Sequence, residues 1–164
     1  STKAKDIRVT SIRNYLFPLD RIRNWNHLYG KSGLIQWQFI LPDKETSLLE
    51  EIIMGFSKTS ALPSLAVLKR CGEASESYLS FCSPGWTLAI DLPANQDSYR
   101  YISKYNPLIA NATGRVYLAK DSCVDSGLLG KMYPRLAHWK AIQKEFDPKG
   151  IWQSDLSRRL ELCD

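Results

Sequence analysis

The chain has 164 residues, which is room for one ordinary domain, or for a domain with a terminal arm. Hydrophobic residues at 44% and charged residues at 24% exclude a disordered chain, and no apolar run reaches the roughly 18 residues of a membrane span. The net charge of +5 is concentrated: residues 1–31 hold seven bases (Lys3, Lys5, Arg8, Arg13, Arg21, Arg23, Lys31) and two acids (Asp6, Asp20), and the rest of the chain carries 15 of each sign.

Residues 1–31 form a basic arm that also holds Tyr15, Phe17, Trp25 and Tyr29. So much aromatic surface implies packing against the rest of the chain or against a domain outside it. The positive charge suits nucleic acid, an anionic cofactor or acidic lipid, or is simply a solvated surface. The start, Ser1 to Asp6, is polar and lacks the apolar core of a signal peptide.

Residues 34–41 alternate, with Ile35, Trp37, Phe39 and Leu41 on one side and Gln36 and Gln38 on the other, as in a half-buried strand. Pro42-Asp43 ends it, with Asp43 placed as a helix N-cap. Leu48, Leu49, Ile52, Ile53 and Phe56 then share one face of a helix over 44–57. A loop over 59–63 leads to a strand over 64–71, a turn over 72–77 and a short extended piece over 78–82. After the turn signal Pro84-Gly85, residues 86–92 alternate again. A helix follows from Asn95 to about Tyr105, with Pro107 kinking or ending it, and then a strand over 115–119.

This order is the split βαβ, ferredoxin-like arrangement. The fold class is α+β: an antiparallel sheet with helices on one face. Extra C-terminal helices follow, over 126–133 and then from Pro134 along the stripe Leu136, Trp139, Ile142, Phe146. Asp147-Pro148-Lys149-Gly150 stops that stripe, and a last helical turn or two lies within 154–162.

Helices on one side leave the other sheet face free. Trp37, Phe39, Leu88, Ile90, Val116 and Leu118 belong to the packed face. Gln36, Gln38, Thr87, Ala89, Arg115 and Tyr117 belong to the open one. Amides, a hydroxyl, a phenol and a base there can orient a polyhydroxylated ligand, although many antiparallel sheets simply have a wet face.

No G-x-G-x-x-G, Walker loop or G-x-S-x-G elbow is present. His27 and His138 are far apart in sequence. Cys71, Cys82, Cys123 and Cys163 are widely spaced, which argues against a zinc site or disulfide scaffold and for reduced, mostly buried thiols; no metal is expected. Lys120 ends the last strand just before Asp121-Ser122. A lysine there either aims a positive charge into a neighbouring site or is a surface residue beside a turn. Lys69, interrupting an apolar strand, escapes to solvent or faces a polar cavity.

Six segments in order carry a resemblance: 35–39 (IQWQF), 67–69 (VLK), 84–91 (PGWTLAID), 114–122 (GRVYLAKDS), 132–135 (MYPR) and 154–160 (SDLSRRL). They resemble the C-terminal half of FAD-linked sugar oxidases of the vanillyl-alcohol-oxidase type, among them the decaprenylphosphoryl-ribose 2′-oxidases and, more distantly, the aldonolactone oxidases. The resemblance covers roughly residues 14–163.

It implies that residues 32–164 are a substrate-binding cap domain and 1–31 an interdomain segment, with the FAD-binding domain absent from this chain. FAD is the implied cofactor, held mainly by that missing domain, so this fragment alone is expected to be inactive. By the same resemblance, Lys120 lies near the flavin edge that becomes negative on reduction, and Tyr117 at the flavin–substrate junction. Gln36, Gln38, Lys69, Thr87 and Ala89 line the sugar pocket. Thr87 replaces an asparagine and Ala89 a cysteine of the ribose-oxidase pattern. The implied reaction is oxidation of a sugar, sugar-lipid or polyol hydroxyl by hydride transfer to flavin, the proton going to Lys120 or to a residue of the absent domain. A short-chain-dehydrogenase-type epimerase partner and a cytoplasmic or membrane-associated location are further implications.

Two other readings compete. An RNA-recognition module shares the strand order and the charge, but strand residues 85–90 lack its K/R-G-F/Y-G/A-F-V-x-F/Y motif, and the charge lies outside the sheet. A ferredoxin-like domain used only for protein contact is the third.

Overall fold

A computed structural model of the protein describes residues 9–17, 23–24, 27 and 33–163. The chain falls into two units, Ser1–Lys31 and Ser32–Asp164. In the first, helix α1 (Ile12–Leu16) starts at Ser11, whose side chain accepts the Asn14 N–H at 3.2 Å. Trp25, Tyr29 and five of the seven arm bases lie outside the described residues.

The second unit contains β1 (Leu34–Leu41), α2 (Thr46–Gly55), β2 (Leu65–Cys71), β3 (Gly85–Pro93), α3 (Gln96–Asn111) and β4 (Arg115–Val116), then α4 (Ser126–Met132), α5 (Leu136–Phe146) and α6 (Asp155–Arg159). The described strands form one sheet in the order β2-β3-β1-β4, every neighbouring pair antiparallel. This is the split βαβ order expected from the sequence.

Period-two alternation decides what each face holds. Trp37 lies opposite Ile90, and Phe39 lies opposite both Leu88 and Val116. All five are buried. They pack with Ile52 and Phe56 near the end of α2 and with Tyr101, Ile102, Tyr105 and Ile109 of α3. Full burial of side chains this size contributes about 1.5–3 kcal/mol each. The rings interlock: Trp37 and Phe39 centroids lie 4.7 Å apart, and Phe56 stacks on Tyr101 at 4.3 Å. The indole N–H of Trp37 donates to the side-chain oxygen of Asn106 at 3.1 Å, satisfying a donor with no access to water.

Several local expectations are corrected. Asp43 does not cap α2; it opens a 3-10 turn, and its carboxylate pairs with Arg70. Ile53 of the expected apolar stripe is exposed. Helix α3 runs through Pro107 to Asn111, because Ile109 and Ala110 beyond the proline are buried in the core. Its end is sealed by the Gly114 N–H donating to the Ile109 carbonyl at 2.8 Å. The segment 78–82 is not extended strand. In α5 the stripe is not buried: Leu136 and Trp139 are half-buried, and Phe146 is 83% exposed. The thiols are less buried than expected, with Cys82 exposed and the other three half-buried.

Candidate functional site

Register places the candidate residues in three rows on the face opposite the core. The first row is Leu65, Asp91, Gln36; the second is Val67, Ala89, Gln38; the third is Lys69, Thr87, Ile40, Arg115. Neighbours within a row are about 5 Å apart and rows about 7 Å apart, so Gln36, Gln38, Lys69, Thr87 and Ala89 fall within a patch of about 10 by 14 Å. Gln36, Gln38, Lys69, Thr87 and Ala89, singled out from the sequence, therefore share one surface.

The amides there are oriented by partners. Gln36 donates Nε2 to the Asp91 carboxylate at 2.9 Å, and Gln38 donates Nε2 to the Thr87 hydroxyl at 3.1 Å. Each donation leaves the amide oxygen as an acceptor. Gln36 and Lys69 are exposed, Ala89 is half-buried, and Gln38, Thr87 and Asp91 are buried. On this face β1 and β3 carry no aromatic ring, so the stacking platform of an RNA-recognition sheet is missing.

At the third row the face is closed by the loop 72–84. Arg115 donates to the Ser80 carbonyl at 2.6 Å, and Phe81 packs on Tyr117 with ring centroids 4.8 Å apart. The loop is held from outside as well. The Arg135 guanidinium lies 4.2 Å from the Tyr78 ring, and the exposed His138 ring is stacked with it at 6.1 Å; Arg135 also donates to the Glu76 carbonyl at 2.8 Å. None of these loop contacts carries a motif, so sequence reasoning missed Phe81.

The last strand is shorter than expected. Ladder pairing ends at Arg115–Val116, with one further bond from the Tyr117 N–H to the Gln38 carbonyl at 2.7 Å. Residues Leu118–Lys120 turn as a 3-10 helix instead of continuing to Ala119 as strand. Asp121 anchors the chain just past this turn. Its side chain, 1% exposed, accepts the Cys123 and Val124 N–H groups at 2.9 Å each and pairs with Arg159 at 2.7 Å. Those bonds fix the chain immediately after the turn.

Arg159 in turn is delivered by α6, which Ser154 and Ser157 cap reciprocally, and it also donates to the Val124 carbonyl at 2.6 Å. The sequence singles out the segment 154–160 around Arg159 without indicating its partner. Lys120 sits on this clamped turn, half-buried, and its ammonium makes no hydrogen bond or ion pair among the described residues. Among the described residues no hydrogen bond or ion pair joins Lys120 to Gln36, Gln38, Lys69, Thr87 or Ala89. Tyr117 is tied to that set through its backbone bond to Gln38.

An apolar groove lies away from the sheet face, lined by Trp139, Phe146, Ile151, Trp152, Leu156 and Leu162. Trp152 is 82% exposed. Among the described residues no group of three or more histidine, cysteine or acidic side chains could hold a metal ion, and no described helix is long and apolar enough to cross a membrane.

Residues 42–160 match the family model described as D-arabinono-1,4-lactone oxidase. The chain is 32% identical over 155 residues to decaprenylphosphoryl-β-D-ribose oxidase of Mycolicibacterium smegmatis, covering 94% of this chain and 34% of that protein. It is 40% identical over 97 residues to an uncharacterized protein in the mprA 5′ region of Streptomyces coelicolor, covering 58% and 26%. The chain thus spans about a third or less of the length of these relatives.

Proposed function

The chain belongs to the D-arabinono-1,4-lactone oxidase family, and we propose that it is the substrate-side, C-terminal part of an FAD-dependent oxidoreductase that oxidises a hydroxyl of a sugar or polyol. The observation that carries this reading is the polar sheet face, where amide oxygens, a hydroxyl and an ammonium lie in adjacent register rows. In this reading residues 32–164 are the cap, and the FAD-binding domain of the parent covers both that face and the apolar groove around Trp152. An exposed tryptophan and phenylalanine on one groove suit such a covered surface.

The donor set fits a flavin edge. Lys120 offers an ammonium with no counter-charge among the described residues, because the neighbouring Asp121 carboxylate is consumed by Arg159. Tyr117 offers a ring already braced by Phe81, the two planes tilted by 41°. Tyr117 and Lys120 are the residues of this chain that would contact the cofactor. When bound, the flavin supplies the two-electron acceptor for the hydride of the alcohol C–H.

The protein's own groups bind, orient and balance charge. The Gln36 and Gln38 amide oxygens accept sugar hydroxyls, and Lys69 donates to a hydroxyl or phosphate oxygen. Thr87 holds Gln38 in place, and Ala89 leaves room over the second row. The Lys120 ammonium balances the negative charge that develops during reduction, in a site where little water screens it.

The relatives name two substrate types, an aldonolactone and a prenylphosphoryl pentose. For the lipid-linked substrate the reading adds action at a membrane surface and a short-chain-dehydrogenase-type partner that completes an epimerisation. The test is stopped-flow reduction of the parent flavoprotein by both. Lys120→Gln is expected to slow flavin bleaching about 10²–10³-fold at unchanged flavin content. Gln36→Ala is expected to raise the half-saturating substrate concentration. Unaltered bleaching in Lys120→Gln, or no reduction by any sugar or polyol, overturns the reading.

A further inference from the structure

We propose that Cys71 and Cys82 form an oxidation site: a dithiol that closes to a disulfide and pins the loop 72–84 across the end of the polar sheet face. Cys71 is the last residue of β2, opposite Gly85 in register and on the same face as Lys69. The chain leaves the sheet there and returns three residues before β3, and this return brings the two sulfurs to 3.8 Å, the Cys71 thiol donating to Cys82. Both are free thiols. The other two cysteines have different neighbours: Cys123 lies against the Ser122 hydroxyl at 3.4 Å, and Cys163 against the Trp152 carbonyl at 3.8 Å.

Closing the gap to a bond of about 2.05 Å requires a shift on the order of 2 Å. Residues 72–77 between the cysteines bury no side chain and are tied by single hydrogen bonds at Ser75, Glu76 and Ser77, so this stretch can supply that movement while 78–81 stay packed. The two thiols are unequal, which orders the chemistry. Cys82 is exposed, whereas burial and the neighbouring Cys82 push the Cys71 thiol up, with Lys69 pulling weakly the other way.

With hydrogen peroxide as oxidant, the Cys82 thiolate attacks one peroxide oxygen. An S–O bond forms, the O–O bond breaks and hydroxide leaves, taking up a proton to give water. The Cys71 sulfur then attacks the Cys82 sulfur. The S–S bond forms, the S–O bond breaks, and hydroxide departs as a second water with the Cys71 proton. Two thiols and one peroxide give one disulfide and two waters, and two electrons pass from sulfur to oxygen. Phe81, adjacent to Cys82 and packed on Tyr117, is thereby held against the end of the face. None of this chemistry uses a flavin, so the inference stands or falls apart from the proposed function.

The test uses the 164-residue chain, reduced and then treated with stoichiometric hydrogen peroxide. Residues 71–100 contain no lysine or arginine before Arg100, so trypsin releases both cysteines in one peptide. The expected result is a 2 Da loss in that peptide, at least ten times faster than any modification of Cys123 or Cys163. Cleavage after Glu73 or Glu76 then leaves two pieces joined until dithiothreitol is added. Cys71→Ser should leave a sulfenic acid at Cys82 that dimedone traps, and Cys82→Ser should slow oxidation of Cys71 at least tenfold. Amide exchange across 72–84 should slow several-fold in the oxidised chain and recover on reduction. Links to Cys123 or Cys163, disulfide-joined dimers, or equal oxidation of all four thiols would overturn the proposal.

Discussion

Replacing Arg159 by methionine isolates the device that holds Lys120 in place. Methionine keeps most of the length and apolar stem of arginine but removes the charge. Asp121 would then hold a carboxylate 1% exposed with two backbone N–H donors and no cation. Breaking a buried pair from one side costs about 3–5 kcal/mol. Because Arg159 itself is 32% exposed, solvent screens part of the attraction, and the lower end, about 3 kcal/mol, is expected. For a unit of this size that corresponds to a fall in Tm of roughly 10 °C.

Asp121→Asn should cost less, about 1–2 kcal/mol, since the amide oxygen still accepts a backbone N–H and Arg159 can turn to water. The double variant should cost less than the sum of the two by about 1–2 kcal/mol. Urea unfolding followed by circular dichroism measures all three. If Arg159→Met costs under about 1 kcal/mol and the pair shows no coupling, the ion pair is not what holds the turn beneath Lys120.

Gly85→Ala should abolish soluble, cooperatively folding protein: Gly85 has φ +154°, and a β-carbon there would stand 2.2 Å from the Leu41 carbonyl oxygen, which soluble yield and the amide proton spectrum will report. Trp37→Phe should destabilise by about 1–3 kcal/mol in urea, because the Asn106 side-chain oxygen loses its donor while its nitrogen has no partner among the described residues. Stability should fall above pH 10. Burial raises the folded-state pKa of both Tyr101 and Tyr133, so below pH 10 folded and unfolded chains both carry these protons and stability is full. Above it the unfolded chain releases them first, costing up to about 1.4 kcal/mol per pH unit per tyrosine. Tyr133→Phe should roughly halve that slope in urea titrations between pH 10 and 12, and an unchanged slope would rule out burial as its cause.

Much of this architecture can be read from local pattern. The alternation through Trp37 and Phe39, and again through Leu88 and Ile90, assigns both sheet faces, since side-chain direction in a strand reverses at every residue whatever lies around it. Gln36, Gln38, Thr87 and Ala89 fell on the open side for the same reason. The helices over 44–57 and from Asn95 were legible as elements, but their ends were not. Pro107 ends a helix only when nothing beyond it repays the lost hydrogen bond, and here Ile109 and Ala110 do so by entering the core.

The order of apolar and polar residues by itself determined the fold class, the two sheet faces and the amides on the free one, because the periods of strand and helix are properties of the backbone. Only the tertiary structure decided that the last strand stops at Val116, that Asp121 finds Arg159 across 38 residues, and that Cys71 meets Cys82 beside Phe81. These meetings depend on where distant segments come to rest after the core has closed, and no local period encodes that.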